Sequence, residues 1–305
     1  MIIKSSIYAV IPTFNRTELL RRCVDSLLNQ SFSIAKIVVV NSSSLEDTED
    51  MIKQYDNDIN IINVNPNWWW AKCMNVGIEY SLLNGADYIL AMNDDTYLSP
   101  DALEHLLETS MLYPDSIIGG IVRDKNNSGR MINNGYGARF TRYRWIPYKK
   151  IVGKASGRDI YYSEGQSGRG VLFPASVYSK IGVYDTKNFA HRGDRDFSYR
   201  CYKEGIGQFY DSGADVFLDF KTSYEGVENK RFKLVDVKDA LFHINGLYNI
   251  NHQYRFLAKH YKYLWPLWFT IWILYVTTIC LIRMLPFGTN LLKTIINRVM
   301  HASDS

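Results

Sequence analysis

The hydrophobic pattern changes period repeatedly along the first part of the chain. Ser6–Pro12 (SIYAVIP) is an unbroken apolar run of strand length. Thr17–Leu28 then places Leu19, Leu20, Cys23, Val24, Leu27 and Leu28 at helical spacing. Lys36–Val40 (KIVVV) is a β-branched run of the kind buried on both faces of a parallel sheet. Asp47–Tyr55 has helical character, and Asn60–Val64 (NIINV) reads as a third strand. Ala71–Leu83 reads as a helix, Tyr88–Met92 as a fourth strand and Asp101–Leu112 as the next helix. Strand–helix alternation at this spacing predicts an α/β fold with a parallel, doubly wound sheet. Ligands of such sheets sit beyond the carboxyl ends of the strands. Three unusual polar segments fall there: Thr13-Phe14-Asn15-Arg16, Asn41-Ser42-Ser43-Ser44 and Asn93-Asp94-Asp95. Their convergence predicts one site.

Beyond Asp124 the regularity fails. Asp124–Arg130 is turn-rich, Arg139–Lys150 is dense in Arg, Tyr, Trp and Lys, and Ser163–Gly170 (SEGQSGRG) reads as a flexible glycine-rich stretch. Val177–Ile181 and Asp196–Glu204 read as helices. This half is expected to supply strands and loops that close over the first half.

The C-terminal pattern differs again. Leu264–Ile282 (LWPLWFTIWILYVTTICLI) is 19 residues without a charge, close to the ~20 that cross a bilayer. Lys259 and Lys262 precede it and Arg283 follows it, so the flanking charges set no orientation. Past Pro286 and Gly288, the residues Leu291, Leu292, Ile295, Ile296, Val299 and Met300 form one apolar stripe suited to a helix lying in a membrane interface. The expected organisation is one α/β domain over 1–225, made of a regular half (1–123) and a less regular half (124–225). A helical connection (226–262) and membrane-associated helices (263–305) follow, attached by shallow or re-entrant insertion or by a single span.

Composition adds limits rather than identity. The chain has 305 residues and a net charge of +4, with no basic tail for a nucleic acid. Cys23, Cys73, Cys201 and Cys280 lack metal or redox spacing and read as reduced thiols. Met1-Ile2-Ile3-Lys4 leads straight into the first strand without a signal-peptide pattern.

Three constellations carry candidate chemistry. Asn93-Asp94-Asp95, just past a buried strand, makes an oxygen-rich corner for Mg²⁺ or Mn²⁺ completed by phosphate oxygens. Asp95 is the candidate ligand, and Asn93 offers its amide oxygen. His191-Arg192-Gly193-Asp194-Arg195-Asp196 stands at a loop-to-helix junction, where a carboxylate serves as a general base or as a helix cap. Asp194 suits the base and Asp196 the cap or helix start, while Arg192 and Arg195 can pair with phosphates. Asn67-Trp68-Trp69-Trp70 holds three consecutive indoles that cannot all face one core, so at least one is exposed or packed on a ligand. His243 is a further candidate metal ligand.

Taken in order, the segments AVIPTFNRTELLRRCVDSLLNQS, KIVVVNSSSLEDT, NWWWAKCMNVGI, ADYILAMNDDTYLSPDAL and IGVYDTKNFAHRGDRDFSYR resemble the family 2 inverting glycosyltransferases of GT-A fold. The likeness is closest to the rhamnosyltransferase-like branch that builds O-antigens and other surface polysaccharides, and it covers about residues 6 to 215. It implies a GT-A (Rossmann-like), mostly parallel sheet flanked by helices, a nucleotide diphosphate sugar as donor and a divalent metal. Asp95 falls on the metal-binding end of the family's Asp-x-Asp motif, with Asn93 in its first place, and Asp94 is a structural or ribose contact. Asp194 falls on the Asp of the Glu-Asp motif, the base that deprotonates the acceptor hydroxyl. Pro12, Thr13, Asn15, Arg16 and Asn41 line the nucleotide edge, with Trp70, Asn75 and Arg192 also facing the donor. Four positions depart from the pattern: Asn41 replaces an Asp, Met74 an Arg, Gly193 the Glu of the Glu-Asp pair, and Phe220 a His. The resemblance and the apolar tail together imply a lipid-linked saccharide acceptor at the cytoplasmic face of a bacterial inner membrane; a homo-oligomer is compatible. The competing readings are a non-catalytic sugar- or nucleotide-binding membrane protein, favoured by the departures at Asn41, Gly193 and Phe220, and a nucleotidyltransferase, which would want a Gly- and Lys/Arg-rich loop where Thr13–Arg16 stands.

Overall fold

Unbroken apolar runs demand cover on both faces, and the sheet provides it. The computed structural model of the protein describes residues 5–43, 47–55, 59–132, 137–142, 145–218, 231–288, 290, 292 and 294, with the side chains of 127–130 left out. Ser44, Phe220 and most of the Leu291–Met300 stripe lie outside these residues. The chain divides into two compact units, residues 1–139 with 149–219, and 140–148 with 220–305.

The first unit begins with β1 (Ile7–Thr13), α1 (Thr17–Leu28), β2 (Lys36–Asn41), α2 (Asp47–Ile52), β3 (Ile59–Asn63), α3 (Trp70–Leu83), β4 (Tyr88–Ala91), β5 (Thr96–Leu98) and α4 (Ala102–Leu112). β6 (Ile117–Asp124), β7 (Asn127–Met131) and β8 (Ala138–Phe140) follow, and the chain enters the second unit at the end of β8. β9 (Trp145–Pro147) belongs to that unit. The first resumes with β10 (Ile151–Ala155), β11 (Arg158–Tyr162), β12 (Val171–Pro174), α5 (Ala175–Ile181), α6 (Gly193–Lys203) and β13 (Gln208–Leu218).

Strands run in the order β10-β11-β13-β6-β12-β4-β1-β2-β3, with β5 on β13 and β7 on β6. β4, β1, β2 and β3 are mutually parallel, in registers such as Val10↔Ala91, Val10↔Val38 and Val39↔Ile61. β12 runs antiparallel between β4 and β6. The strand order reverses at β1, which has β2 on one side and β4 on the other, so the crevice beyond Thr13 and Ala91 is the topological switch point.

Side-chain alternation divides the strands between two faces. Tyr8, Val10, Val38, Val40, Ile89 and Ala91 pack with Met74 and Ile78 of α3, Tyr178 of α5 and Phe197 of α6 in one cluster. Ile7, Ala9, Ile11, Ile37, Val39 and Leu90 alternate with them and are equally buried. The approach of α3 is close: a Cβ on Gly77 would lie 2.3 Å from Val10 Cγ1. The four cysteines are buried and unbridged.

Ser163–Gly170 corrects the sequence reading. It is not flexible: Ser163, Gly165–Gly168 and Gly170 are buried. Gln166 is pinned through its backbone N to Ser198 Oγ (2.9 Å), through its carbonyl from Ser198 Oγ (2.8 Å) and through Nε2 to Phe209 O (2.7 Å). The glycines there serve close packing rather than mobility.

The second unit holds α7 (Leu234–Phe242), α8 (Ile250–His260) and α9 (Trp265–Met284) around Phe232, Ala240, Trp272, Val276 and Cys280. Among the described residues α9 is the one helix long and apolar enough to cross a membrane.

Candidate active site

The ends of β1 and β4 bring the first and third polar segments together. Asp94 and Asp95 are both buried. Thr13 Oγ1 donates to Asp94 Oδ2 at 2.9 Å, and Arg16 Nη1 reaches Asp94 Oδ1 at 3.4 Å and Asp95 Oδ2 at 3.5 Å. Arg16 is the N-cap residue of α1, and half of its side chain stays exposed. Burial pushes the Asp94 carboxyl up to about 6; Arg16 and the Thr13 hydroxyl oppose the shift and the Asp95 charge reinforces it. The Asp94 carboxylate is thus undercompensated: the solvated Arg16 guanidinium, at the long end of hydrogen-bond distance, does not offset its burial.

The second segment shapes the adjoining loop. Asn41, buried at the end of β2, donates from Nδ2 to Asn63 Oδ1 (2.9 Å) and accepts at Oδ1 from Ser43 N (3.0 Å). Ser42 N and Oγ both donate to Thr13 O at 3.0 Å. Asn15 adopts a left-handed φ of 51° and its N–H donates to Ser43 Oγ at 2.7 Å, so the two loops hold each other. Pro12 is buried within β1.

Of the three indoles, Trp69 is 42% exposed and meets His191 edge-on at 6.2 Å, whereas Lys72 Nζ covers Trp68 at 3.7 Å. Trp70 turns inward. Its Nε1 donates to Asn93 Oδ1 at 2.9 Å, its ring packs edge-on against Tyr184 at 5.0 Å, and a Cβ on Gly168 would lie 2.5 Å from its Cζ2. The amide oxygen that the sequence offers to a metal thus already accepts one hydrogen bond, leaving its second lone pair.

Asp194 occupies the first turn of α6, which starts three residues earlier than the periodicity predicts. Its Oδ1 accepts from Arg195 N at 3.0 Å and the residue is partly exposed. Its charge adds to the burial that raises the Tyr184 and Tyr210 hydroxyls far above their ordinary range. Arg192, the N-cap residue, holds a left-handed φ of 57°. Asp196 is not the cap but does lie at the helix start, in the first turn of α6. It is fully buried and pairs with Arg200 Nε at 3.0 Å, and Arg200 donates to Ile181 O and Val183 O, both at 2.7 Å.

Asn75 also differs from expectation. Its Nδ2 donates to Tyr184 O (2.9 Å) and its Oδ1 accepts from Tyr184 N (3.0 Å), so its amide positions Tyr184. Tyr184 is the residue sequence reasoning missed. It contacts Trp70, senses Asp194, and links the acidic corner to the start of α6. Its only sequence signal is its place in Gly182-Val183-Tyr184-Asp185 ahead of the charged segment. Two departures from the family pattern have local reasons. Met74 is fully buried, where an Arg would be an uncompensated charge. A Cβ on Gly193 would sit 3.2 Å from Ala71 Cβ, leaving little room for a Glu.

Among the described residues no group of three His, Cys, Asp or Glu side chains converges. His243 lies in the second unit, where it is the C-cap residue of α7 and its Nδ1 accepts from Asn245 N at 3.2 Å. Asp94 and Asp95 with Asn93 still suit Mg²⁺ or Mn²⁺, which take one or two carboxylates and complete their shell with substrate phosphate oxygens.

Known proteins resemble this chain throughout that frame. It is 32% identical over 136 residues to the chondroitin synthase of Pasteurella multocida, covering 43% of the chain but only 13% of that protein. The dTDP-rhamnosyl transferase RfbF of Shigella flexneri is 24% identical over 66% of the chain and 65% of its own length. The GalNAc(5)-diNAcBac-PP-undecaprenol beta-1,3-glucosyltransferase of Campylobacter jejuni is 23% identical over 84% of both. A crystal structure of GalNAc-T7 with UDP, GalNAc and Mn²⁺ superposes with a TM-score of 0.60 at 14% identity, over 70% of this chain and 43% of that one, and so shares the GT-A fold. The model of glycosyl transferase family 2 matches residues 8–161, and the chain belongs to that family.

Proposed function

We propose that this protein is a metal-dependent, inverting glycosyltransferase that moves a hexose or deoxyhexose from a nucleotide diphosphate sugar to a lipid-linked glycan during surface polysaccharide synthesis. The observation that carries the reading is the closure of Thr13, Arg16, Asp94 and Asp95 at the switch point of the sheet. A buried acidic pair backed by a solvated arginine attracts a hard cation and, with it, a diphosphate. The Mn²⁺ and UDP of the GalNAc-T7 structure and the activities of the S. flexneri and C. jejuni relatives support that chemistry by analogy.

In this reading Asp95 and Asp94 would hold the metal, and Asn93 would offer it the second lone pair of its amide oxygen beside the Trp70 hydrogen bond. The chemistry such a metal would supply there is neutralisation of the charge on the departing nucleoside diphosphate. Thr13, Asn15, Asn41 and the backbone they shape hold the nucleoside, and Arg16 and Arg192 face phosphate oxygens. Asp194, partly exposed at the start of α6, takes the proton from the acceptor hydroxyl as that oxygen attacks the anomeric carbon from the face opposite the diphosphate. A single in-line displacement inverts the centre. Trp69, exposed beside His191, gives the acceptor sugar a stacking face. The apolar helix α9 of the second unit supports attachment at the cytoplasmic face of the membrane, where a lipid-linked acceptor would be met in two dimensions at raised effective concentration.

The test is a thermal-shift panel of nucleotide sugars with and without Mn²⁺. Stabilisation by one donor family, dependent on the metal and lost in Asp95→Ala, is the expected result. Equal melting temperatures with every donor would overturn the proposal.

A further inference from the structure

Helix α9 is about 30 Å long at 1.5 Å per residue, enough to span hydrocarbon, yet one of its faces is already occupied. Trp272, Val276 and Cys280 pack on Phe232 and Ala240, with Val237 and Leu241 of α7 joining the cluster. Tyr254 of α8 meets Trp265 at 5.1 Å and Phe269 at 5.9 Å, and the Arg142 guanidinium lies 4.3 Å over Trp268. At the other end the Arg283 guanidinium covers Phe232 at 4.8 Å, and Arg231 Nε donates to Met284 O at 3.0 Å. The uncovered face carries Leu267 (54% exposed), Leu274 (63%) and Leu281 (60%), seven residues apart, with Thr270, Thr277 and Thr278 between them and no charge.

We propose that α9 lies in the plane of an anionic bilayer, half-embedded along the Leu267–Leu274–Leu281 face, and does not cross it. The inference deepens the membrane attachment proposed above and rests on that part of the reading. A crossing helix would carry α7 and α8 with it to hydrocarbon depth, including Asp236, Lys238 and Asp239 and the backbone ends of both short helices. Charge and open backbone are not tolerated there without water or protein around them. An in-plane helix meets both demands: acyl chains cover the leucines, and the unit's own helices cover the opposite face. Charge selects the occupant. Arg231, Lys233, Lys238, Arg255, Lys259 and Lys262 are exposed on this unit, against Asp239 as the one exposed acid among its described residues. Anionic headgroups complement that surface, whereas a second copy of the chain would bring the same sign.

The experiment uses the full chain and two kinds of vesicle, pure phosphatidylcholine and phosphatidylcholine with about 30% phosphatidylglycerol. Flotation is expected to recover the protein on the anionic vesicles at least about tenfold better, and Leu274→Glu to lower that recovery about tenfold with the melting temperature unchanged. Lys262→Cys and Asn290→Cys, which flank α9 before its first residue and after its last, are both expected to react with a membrane-impermeant maleimide from the side to which the protein was added. Protection of either cysteine until detergent is added would show a crossing helix and overturn the proposal. So would unchanged flotation of Leu274→Glu, or its conversion of a dimer to a monomer with flotation intact. Neither readout involves sugar transfer, so failure here is distinct from failure of the glycosyltransferase assignment.

Discussion

Replacing Asp94 with Asn is predicted to stabilise the metal-free protein at neutral pH while disabling its site. The carboxyl is 6% exposed and is held at about 6 rather than 3.8. Because the folded-state value lies above the unfolded one, the folded chain binds an extra proton between those limits. Stability therefore falls as pH rises from 3.8 to 6, and the loss is complete above that window, amounting to about 3 kcal/mol. Asn removes the charge and keeps an acceptor for Thr13 Oγ1, but it adds an amide NH₂ with no built acceptor, which costs about 1–2 kcal/mol. The net expectation is a gain of about 1–2 kcal/mol at pH 8 that vanishes or reverses near pH 4. Urea unfolding in EDTA, followed by far-UV circular dichroism at pH 4, 6 and 8, measures it. An Asp94→Asn protein less stable than wild type at pH 8, or a stability difference independent of pH, would show that burial of the Asp94 charge does not destabilise this corner. A functional site that costs stability until its ligand binds is the pattern expected here.

Three further outcomes follow from particular contacts. Gly168→Val should displace the Trp70 ring by about 1 Å and break its bond to Asn93, abolishing Mn²⁺- and donor-dependent thermal stabilisation in a protein that still folds; unchanged stabilisation would show that Trp70 does not position the acidic corner. Arg158→Leu should cost about 3–5 kcal/mol in thermal or urea unfolding, because fully buried Asp211 would keep only Thr109 Oγ1 and Gly213 N as donors; a loss below about 1 kcal/mol would contradict that. Trp69→Ala should leave the melting temperature unchanged and raise the acceptor KM roughly tenfold with kcat for donor hydrolysis intact, in line with the loss of one stacking face.

The sequence was most readable where burial is uniform. β1, β2 and β4 are covered on both faces, so Ile7–Thr13, Lys36–Asn41 and Tyr88–Ala91 stand out as continuous apolar runs, and the helices between them carry clean periodicity. β13 was illegible for the opposite reason. Its QFYDSGADVFL pattern holds the fully buried Asp211 inside a charged network, and its pairing with β6 shifts register between Asp211 and Asp215. The acidic corner could be found from strand ends alone, because topology forces those ends together. Asn75 could not: its amide clamps the backbone of Tyr184, 109 positions away, and no local pattern encodes such a contact. The bond between Trp70 and Asn93 is non-local in the same way. Three consecutive indoles announced that one would be exposed but not that another would hold the acidic turn.

In the proposed mechanism Asp194 is the base for transfer from a donor held at Asp94 and Asp95. The most direct measurement compares wild type with Asp194→Asn, using the donor that stabilises the fold and lipid-linked acceptor extracted from membranes of the source cells. The variant is expected to keep the metal-dependent thermal shift with donor but to lose transfer by about 10²–10⁴-fold, the contribution of a positioned general base. Transfer at the wild-type rate by a folded, donor-binding Asp194→Asn protein would contradict it.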